Sequence, residues 1–207
     1  MNTLDKLIKF FETFPGVGAR QAKRFAFHIL TMSESDSAEL SKLISELKGT
    51  VVECVSCHRF FPTQNKEELC SVCSSQNRDH NRLLVVERDS DIQAIERAGV
   101  YDGLYFVFGG TVPLLSSGDN SKLRGGKLKA TVEKRLPEGL NEIILGFSIN
   151  PDGENTARFV ESIIKPLIEE KEITISHLGR GLSTGSELEY ADAETIKNAL
   201  RNRAWHS

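Results

Sequence analysis

Between Leu4 and Leu47 apolar residues return every three or four positions along the chain. Leu4, Leu7, Ile8, Phe11 and Phe14 make one stripe, Ala22, Phe25, Ala26, Ile29 and Leu30 a second, and Leu40, Leu43, Ile44 and Leu47 a third. Such spacing gathers side chains on one helix face, so three helices are predicted, with Pro15-Gly16-Val17-Gly18 separating the first two. Beyond residue 80 the pattern changes. Short apolar runs at 83–87, 104–108, 143–149 and 173–178 alternate with helical stretches near 91–98, 121–135 and 154–169. Strand and helix in alternation predict a mostly parallel sheet flanked by helices, an α/β fold carrying a helical N-terminal module.

The segment CVSCHRFFPTQNKEELCSVC, residues 54–73, separates these two regions and holds every cysteine of the chain. Its two CxxC pairs, Cys54 with Cys57 and Cys70 with Cys73, can present four thiolates to one tetrahedral ion. Zinc is the expected ion; a rubredoxin-like iron site and free thiols are the alternatives. His58 adjoins Cys57 and could substitute for a ligand, but with four cysteines present it is read as a bystander. Four protein ligands leave no open position for substrate, so the centre is expected to be structural. Its binding energy, on the order of 10 kcal/mol or more, would hold a segment too short to build its own core.

Charge alters the picture at one place. The 207-residue chain carries a net charge of −3, yet within residues 1–31 Lys6, Lys9, Arg20, Lys23 and Arg24 outnumber Asp5 and Glu12. A basic stretch on an acidic chain suits docking to a polyanion, although many such stretches are only solvated helix faces. Here it coincides with the glycine turn. Gly16 and Gly18 allow close backbone approach, and the following helix start offers N–H groups to a phosphate. Arg20 and Arg24, four apart, share a helix face with Lys23 beside them. Together they predict a sequence-independent grip on a nucleic-acid backbone; an ordinary helical hairpin is the alternative. No apolar run approaches the roughly 18 residues that span a bilayer. The opening MNTLDKLIKF lacks the unbroken apolar stretch of a secretory signal, so a cytoplasmic protein is expected.

Acidic residues mark a third location. Glu87 ends the first apolar run, and Asp152-Gly153-Glu154 follows the third. Residues just past the carboxyl ends of parallel strands line the crevice where ligands bind. Glu87, Asp152 and Glu154 could therefore hold Mg²⁺, or Asp152 or Glu154 could cap the next helix. There is no GxxxxGK[ST] loop: Gly126-Lys127 is followed by Leu128, and Ser121 stands where the first glycine belongs. No nucleophile arrangement is recognisable either. The stretch from Arg180 to Tyr190 reads only as an interface or a turn.

The order of these pieces resembles the RecR family of bacterial recombination mediators. FPGVGARQAKRFAFHIL is similar to that family's helix-hairpin-helix, and the four-cysteine segment to its zinc finger. LLVVERDSDIQAIERAGVYDGLYFVFGG and INPDGENTA are similar to its Toprim domain, and LGRGLSTGSELEY to its C-terminal motif. Ala19 stands where the family has proline, Arg20 where it has lysine, Asp152 where it has glutamate, and Leu182-Ser183-Thr184 where it has valine-proline-valine. The resemblance implies modules at 1–53 (helix-hairpin-helix), 54–79 (zinc finger), 80–176 (Toprim) and 177–207 (C-terminal assembly). It also implies a non-enzymatic role in DNA repair: a tetrameric ring that associates with RecO, in some bacteria with RecF, and helps load RecA on gapped DNA. DNA contacts fall to Arg20 and Arg24, and the Toprim acids are Glu87, Asp152 and Glu154. The competing expectation is a metal-dependent nuclease or another DNA-processing enzyme, since Toprim domains also serve such proteins.

Overall fold

The computed structural model describes residues 1–63, 65, 67–115, 123–179, 181–182, 185 and 188–202. They belong to two compact units, one of residues 1–52 and 62–64, the other of residues 53–61 and 65–207.

Three helices build the first unit: α1 (Thr3–Glu12), α2 (Ala19–Thr31) and α3 (Glu34–Thr50). The starts of α1 and α3 follow from local polar residues. The Asn2 side chain accepts from the Asp5 N–H at 2.8 Å, and Asp5 reaches back to the Asn2 N–H at 3.3 Å, a reciprocal cap. Ser33 accepts from the Asp36 N–H at 3.1 Å and opens α3. Between α1 and α2 the chain turns at Gly16, whose φ of +76° suits glycine, and Gly18 caps α2 with no side chain at all. The α1–α2 pair packs through Phe11, which meets Phe14 and Phe25 edge-on at 5.7 and 5.8 Å. The buried stripe of α2 is Ala22 and Ala26. The predicted stripe of α3 turns outward: Leu43, Ile44 and Leu47 are exposed, and the helix buries no residue.

A ladder of two three-residue strands, β1 (Val51–Glu53) and β2 (Phe60–Pro62), precedes the large sheet. That sheet comprises β3 (Asp79–Val86), β4 (Gly103–Val107), β5 (Glu142–Gly146) and β6 (Thr174–His177) in the order β4-β3-β5-β6. Every pairing is parallel, with Leu83 opposite both Leu104 and Ile143, and Ile143 opposite Ile175. The crossovers are α4 (Asp89–Ala98), α5 (Gly125–Arg135) and α6 (Pro151–Ile168), and α7 (Ala193–Arg201) follows. Central β3 is apolar where it is buried, from Leu83 to Val86, and the core closes over it with Phe106, Leu128, Val132, Val160 and Ile164. A parallel sheet covered by helices needs such runs of apolar residues.

Three boundaries differ from the sequence expectation. Strand β3 starts at Asp79, with a polar first half that buries no residue and so gives no apolar signal. Strand β5 stops at Gly146, short of Ile149, leaving residues 147–150 to turn into α6. Helix α5 begins at Gly125; the predicted start at 121, with Ser121, lies outside the described residues.

Candidate metal centre and nucleic-acid interface

The four cysteines, far apart as pairs in sequence, converge. Their Sγ atoms all lie within 4.8 Å of one another; Cys54, Cys57 and Cys70 are buried and Cys73 partly so. Cys57 and Cys70 are 3.7 Å apart, too far for a disulfide. Four thiolates at about 2.3 Å from a central zinc stand about 3.8 Å from one another, so the spacing suits a tetrahedral ion. The Cys70 N–H also points at the Cys54 sulfur, at 3.4 Å. Hydrogen bonds from Cys57, Cys70 and Cys73 hold the Cys54 thiol far below its ordinary range, while those with Cys54, Cys70 and Cys73 push Cys57 far above it. A metal dication would let all four thiols ionise.

His58 lies outside the ligand set. It takes φ +61°, a left-handed conformation rare for its type, and its Nδ1 is hydrogen-bonded to Glu53 Oε1 at 2.7 Å. The ring also meets Phe106 edge-on at 5.1 Å. Burial lowers its pKa below the ordinary value even though Glu53 pulls it up. Glu53 in turn gathers Lys127 at 2.9 Å and Arg124 at 3.4 Å. Burial raises the Glu53 pKa, but hydrogen bonds from Lys127 and His58 and the charge of Arg124 outweigh it and keep the carboxyl low.

The cysteine segment is thereby clamped onto the sheet. The Val107 N–H donates to the Cys57 carbonyl at 2.8 Å, and the Phe60 N–H donates to Asp89 at 2.6 Å. From α5, Arg135 donates to Ser56 Oγ at 3.1 Å. The partners Val107, Asp89 and Arg135 were not singled out as site residues in the sequence, where they stand 29 to 79 positions from the cysteine-segment residues they hold.

In the first unit, Gly16, Gly18, Arg20, Lys23 and Arg24 are all exposed. The three cations project from α2 away from buried Ala22 and Ala26. Arg24 touches only Gln21, at 3.4 Å, and no carboxylate among the described residues pairs with Arg20, Lys23 or Arg24. With Gly18 as a bare cap, the α2 start presents backbone N–H groups beside three free cations.

The Toprim-like acids stand at the carboxyl ends of the strands, where β3 adjoins β4 on one side and β5 on the other. Buried Glu87 accepts from Ser148 Oγ at 2.9 Å and pairs with Arg88 at 2.8 Å. Asp152 accepts the Leu114 N–H at 2.9 Å, and Glu154 lies 4.0 Å from Arg158. Among the described residues the cysteines are the only group of three or more His, Cys, Asp or Glu placed to share an ion. The three acids therefore share an edge of the sheet without meeting at one point. The cap of α6 is neither acid but Asn150, which accepts the Gly153 N–H at 2.8 Å.

Gly153 explains itself by space. A Cβ there would stand 1.9 Å from the Ser148 carbonyl oxygen, and that backbone cannot move without disturbing the Ser148–Glu87 contact. Gly153→Ala is expected to destabilise the chain by on the order of 3 kcal/mol, the upper end for overpacking. A lowered denaturant midpoint at unchanged slope would show it; an unchanged midpoint would mean that α6 shifts freely.

Comparison with known proteins places these sites in one frame. Residues 4–48 match the RecR helix-hairpin-helix, residues 82–178 the Toprim domain and residues 181–204 the RecR C-terminal region. A recombination protein RecR of Lactobacillus helveticus (strain DPC 4571) is 34% identical over 197 residues, 95% of this chain and 94% of the relative. The chain belongs to the RecR family. Recombination proteins RecR of Staphylococcus saprophyticus and Staphylococcus aureus (strain JH9) are 32% and 33% identical over 200 residues, 97% of this chain and 96% of each relative. The RecR helix-hairpin-helix match spans the basic face of α2, and the Toprim match spans Glu87, Asp152 and Glu154. Part of the RecR C-terminal motif, including Arg180, Ser183 and Thr184, lies outside the described residues. No helix among the described residues is long and apolar enough to cross a membrane.

Proposed function

We propose that this chain is a DNA-binding mediator of recombinational repair, acting with RecO, and with RecF where that partner exists, to help load RecA on gapped or single-stranded DNA. The observation that carries the reading is the row of unpaired cations Arg20, Lys23 and Arg24 at the bare start of α2, in a chain that RecR relatives cover almost end to end. Fixed positive charge and open backbone N–H groups hold phosphates without reading bases. The cysteine centre holds one structural zinc, which keeps residues 54–79 folded against the sheet. The functional modules are 1–53 for DNA, 54–79 for zinc, 80–176 for the Toprim domain and 177–207 for assembly.

The outward apolar face of α3, where Leu43, Ile44 and Leu47 are 57, 64 and 58% exposed, supports assembly of several chains, as in a tetrameric ring. Such a protein works in the cytoplasm and catalyses no reaction. Glu87, Asp152 and Glu154 serve partner binding, and their separate engagements give Mg²⁺ no shared seat.

The test combines binding with a search for cleavage. The chain should bind single-stranded and gapped DNA of unrelated sequences with similar affinity, and that affinity should fall steeply as salt rises. Incubation with DNA and Mg²⁺ or Mn²⁺ should leave the strands intact. Metal-dependent nicking that disappears in Asp152→Asn would establish the nuclease alternative instead, and no DNA binding at low salt would end the mediator reading.

A further inference from the structure

Arg135 is the last residue of α5 and only 7% exposed. Its Nη2 donates to Ser56 Oγ at 3.1 Å, within the turn that carries Cys54 and Cys57. Its Nη1 is buried and has no hydrogen-bond partner among the described residues. No described carboxylate pairs with it either: Glu53, the acid of this region, is engaged by His58, Arg124 and Lys127. A guanidinium does not shed its proton in a protein, so this is a buried, uncompensated cation. Such a charge is costly unless an anion answers it.

The group beside it changes charge on loading. A dication held by four thiolates leaves the centre net negative, and that negative charge is buried together with Cys54, Cys57 and Cys70. We propose that Arg135 is the buried counter-cation of the loaded cysteine centre, a positioning residue that fixes the first CxxC turn through Ser56 and balances the charge of the bound tetrathiolate. The inference rests on the zinc reading above. It explains why the last turn of α5 buries an arginine where an apolar residue would fill the same space. Arg124 and Lys127, by contrast, answer Glu53.

The proposal makes the role of Arg135 depend on metal. It stabilises the loaded chain more than the metal-free one. A residue that only packs would contribute equally in both states.

The experiment uses the full chain, stripped of metal by a chelator and then titrated with Co²⁺, whose absorption reports tetrahedral thiolate ligation, and with Zn²⁺ against a competing chelator. Arg135→Met should weaken affinity for both ions by about 10- to 100-fold, the usual cost of losing an outer partner of a metal site. Arg135→Lys, which keeps the charge, should stay within a few-fold of wild type. Relative to wild type, the Arg135→Met chain should lose more melting temperature when loaded than when metal-free. Unchanged affinity in Arg135→Met, or equal loss of stability with and without metal, would overturn the proposal. If Arg135→Met yields no folded metal-free chain, Arg135→Lys decides: a tenfold loss or more in that variant would also overturn it. Failure of the wild type to take up either ion would bring down the zinc reading itself, and this inference with it.

Discussion

Replacing Cys70 by serine is expected to leave the chain without its metal and with residues 54–73 unfolded. Serine cannot supply the fourth thiolate, and the remaining three sulfurs do not close a tetrahedron. The energy at stake is the metal-binding energy, on the order of 10 kcal/mol or more in small zinc modules, comparable to the whole stability of many domains. Little else can hold the segment. Besides Cys54, Cys57 and Cys70, its buried apolar residues are Phe61 and Val72. The consequences reach the sheet, because β4 is an edge strand and the Cys57 carbonyl accepts the Val107 N–H there. Unfolding of the clip would bare that end of β4 and the ring of Phe106 that packs on His58. Exposed strand edges invite association, so soluble yield should fall together with metal content. Metal analysis should give about one zinc per wild-type chain and close to none in Cys70→Ser. His58→Ala, in contrast, should keep its metal, because His58 is bound to Glu53 and is not a ligand. Full loading and an unchanged melt in Cys70→Ser would defeat the structural-zinc reading.

What could be read from the sequence was what local spacing encodes. The CxxC pairs announce themselves because two thiols per turn must sit three residues apart. The apolar runs of the sheet are equally plain, since a parallel strand covered on both faces buries consecutive residues, as Leu83–Val86 do. The same logic hides the rest. Asp79 to Arg82 form half a strand, yet none of them is buried and they carry no apolar signal. Strands β1 and β2, three residues each, are too short for any period to register. Helix α7 was folded into the tail in the sequence reading, although Asp192 caps Thr195 at 2.9 Å and Ile196 and Ala199 are spaced for one face. An Asp three residues before Thr195 was the signal that could have found it.

The site shows the same division. Arg124, which caps α5, and Lys127 and Arg135 within it have polar partners far back in the chain, so their roles depend on a fold that brings α5 beside the cysteines. Asn150 took the cap that two neighbouring acids seemed to offer, because the cap must precede the first helical residue and Pro151 fixes where that is. Asp152, displaced from that duty, ties down residue 114 instead.

The second large effect is expected on DNA. Arg20→Ala combined with Arg24→Ala should weaken binding similarly on every sequence, because phosphates are the same everywhere and no base edge is being read. Each lost phosphate contact should flatten the dependence of log affinity on log salt by roughly one unit. Two lost contacts then amount to a weakening of roughly 30- to 100-fold at 0.1 M salt, and the two curves should converge as salt approaches 1 M. If several chains act together on one strand, the loss multiplies, since each hairpin contributes to avidity. The fold should be indifferent. Both arginines are exposed, they make no ion pair among the described residues, and the buried side of α2 is Ala22 and Ala26. Alanine is also the strongest helix former, so the thermal melt of the double variant should match the wild type. Lys23→Ala added to the pair should extend the same trend by about one further slope unit, provided that Lys23 meets a phosphate of its own. A folded double variant with wild-type affinity and wild-type salt slope would show that the Pro15–Gly18 hairpin only packs two helices together and that DNA, if bound at all, is held elsewhere.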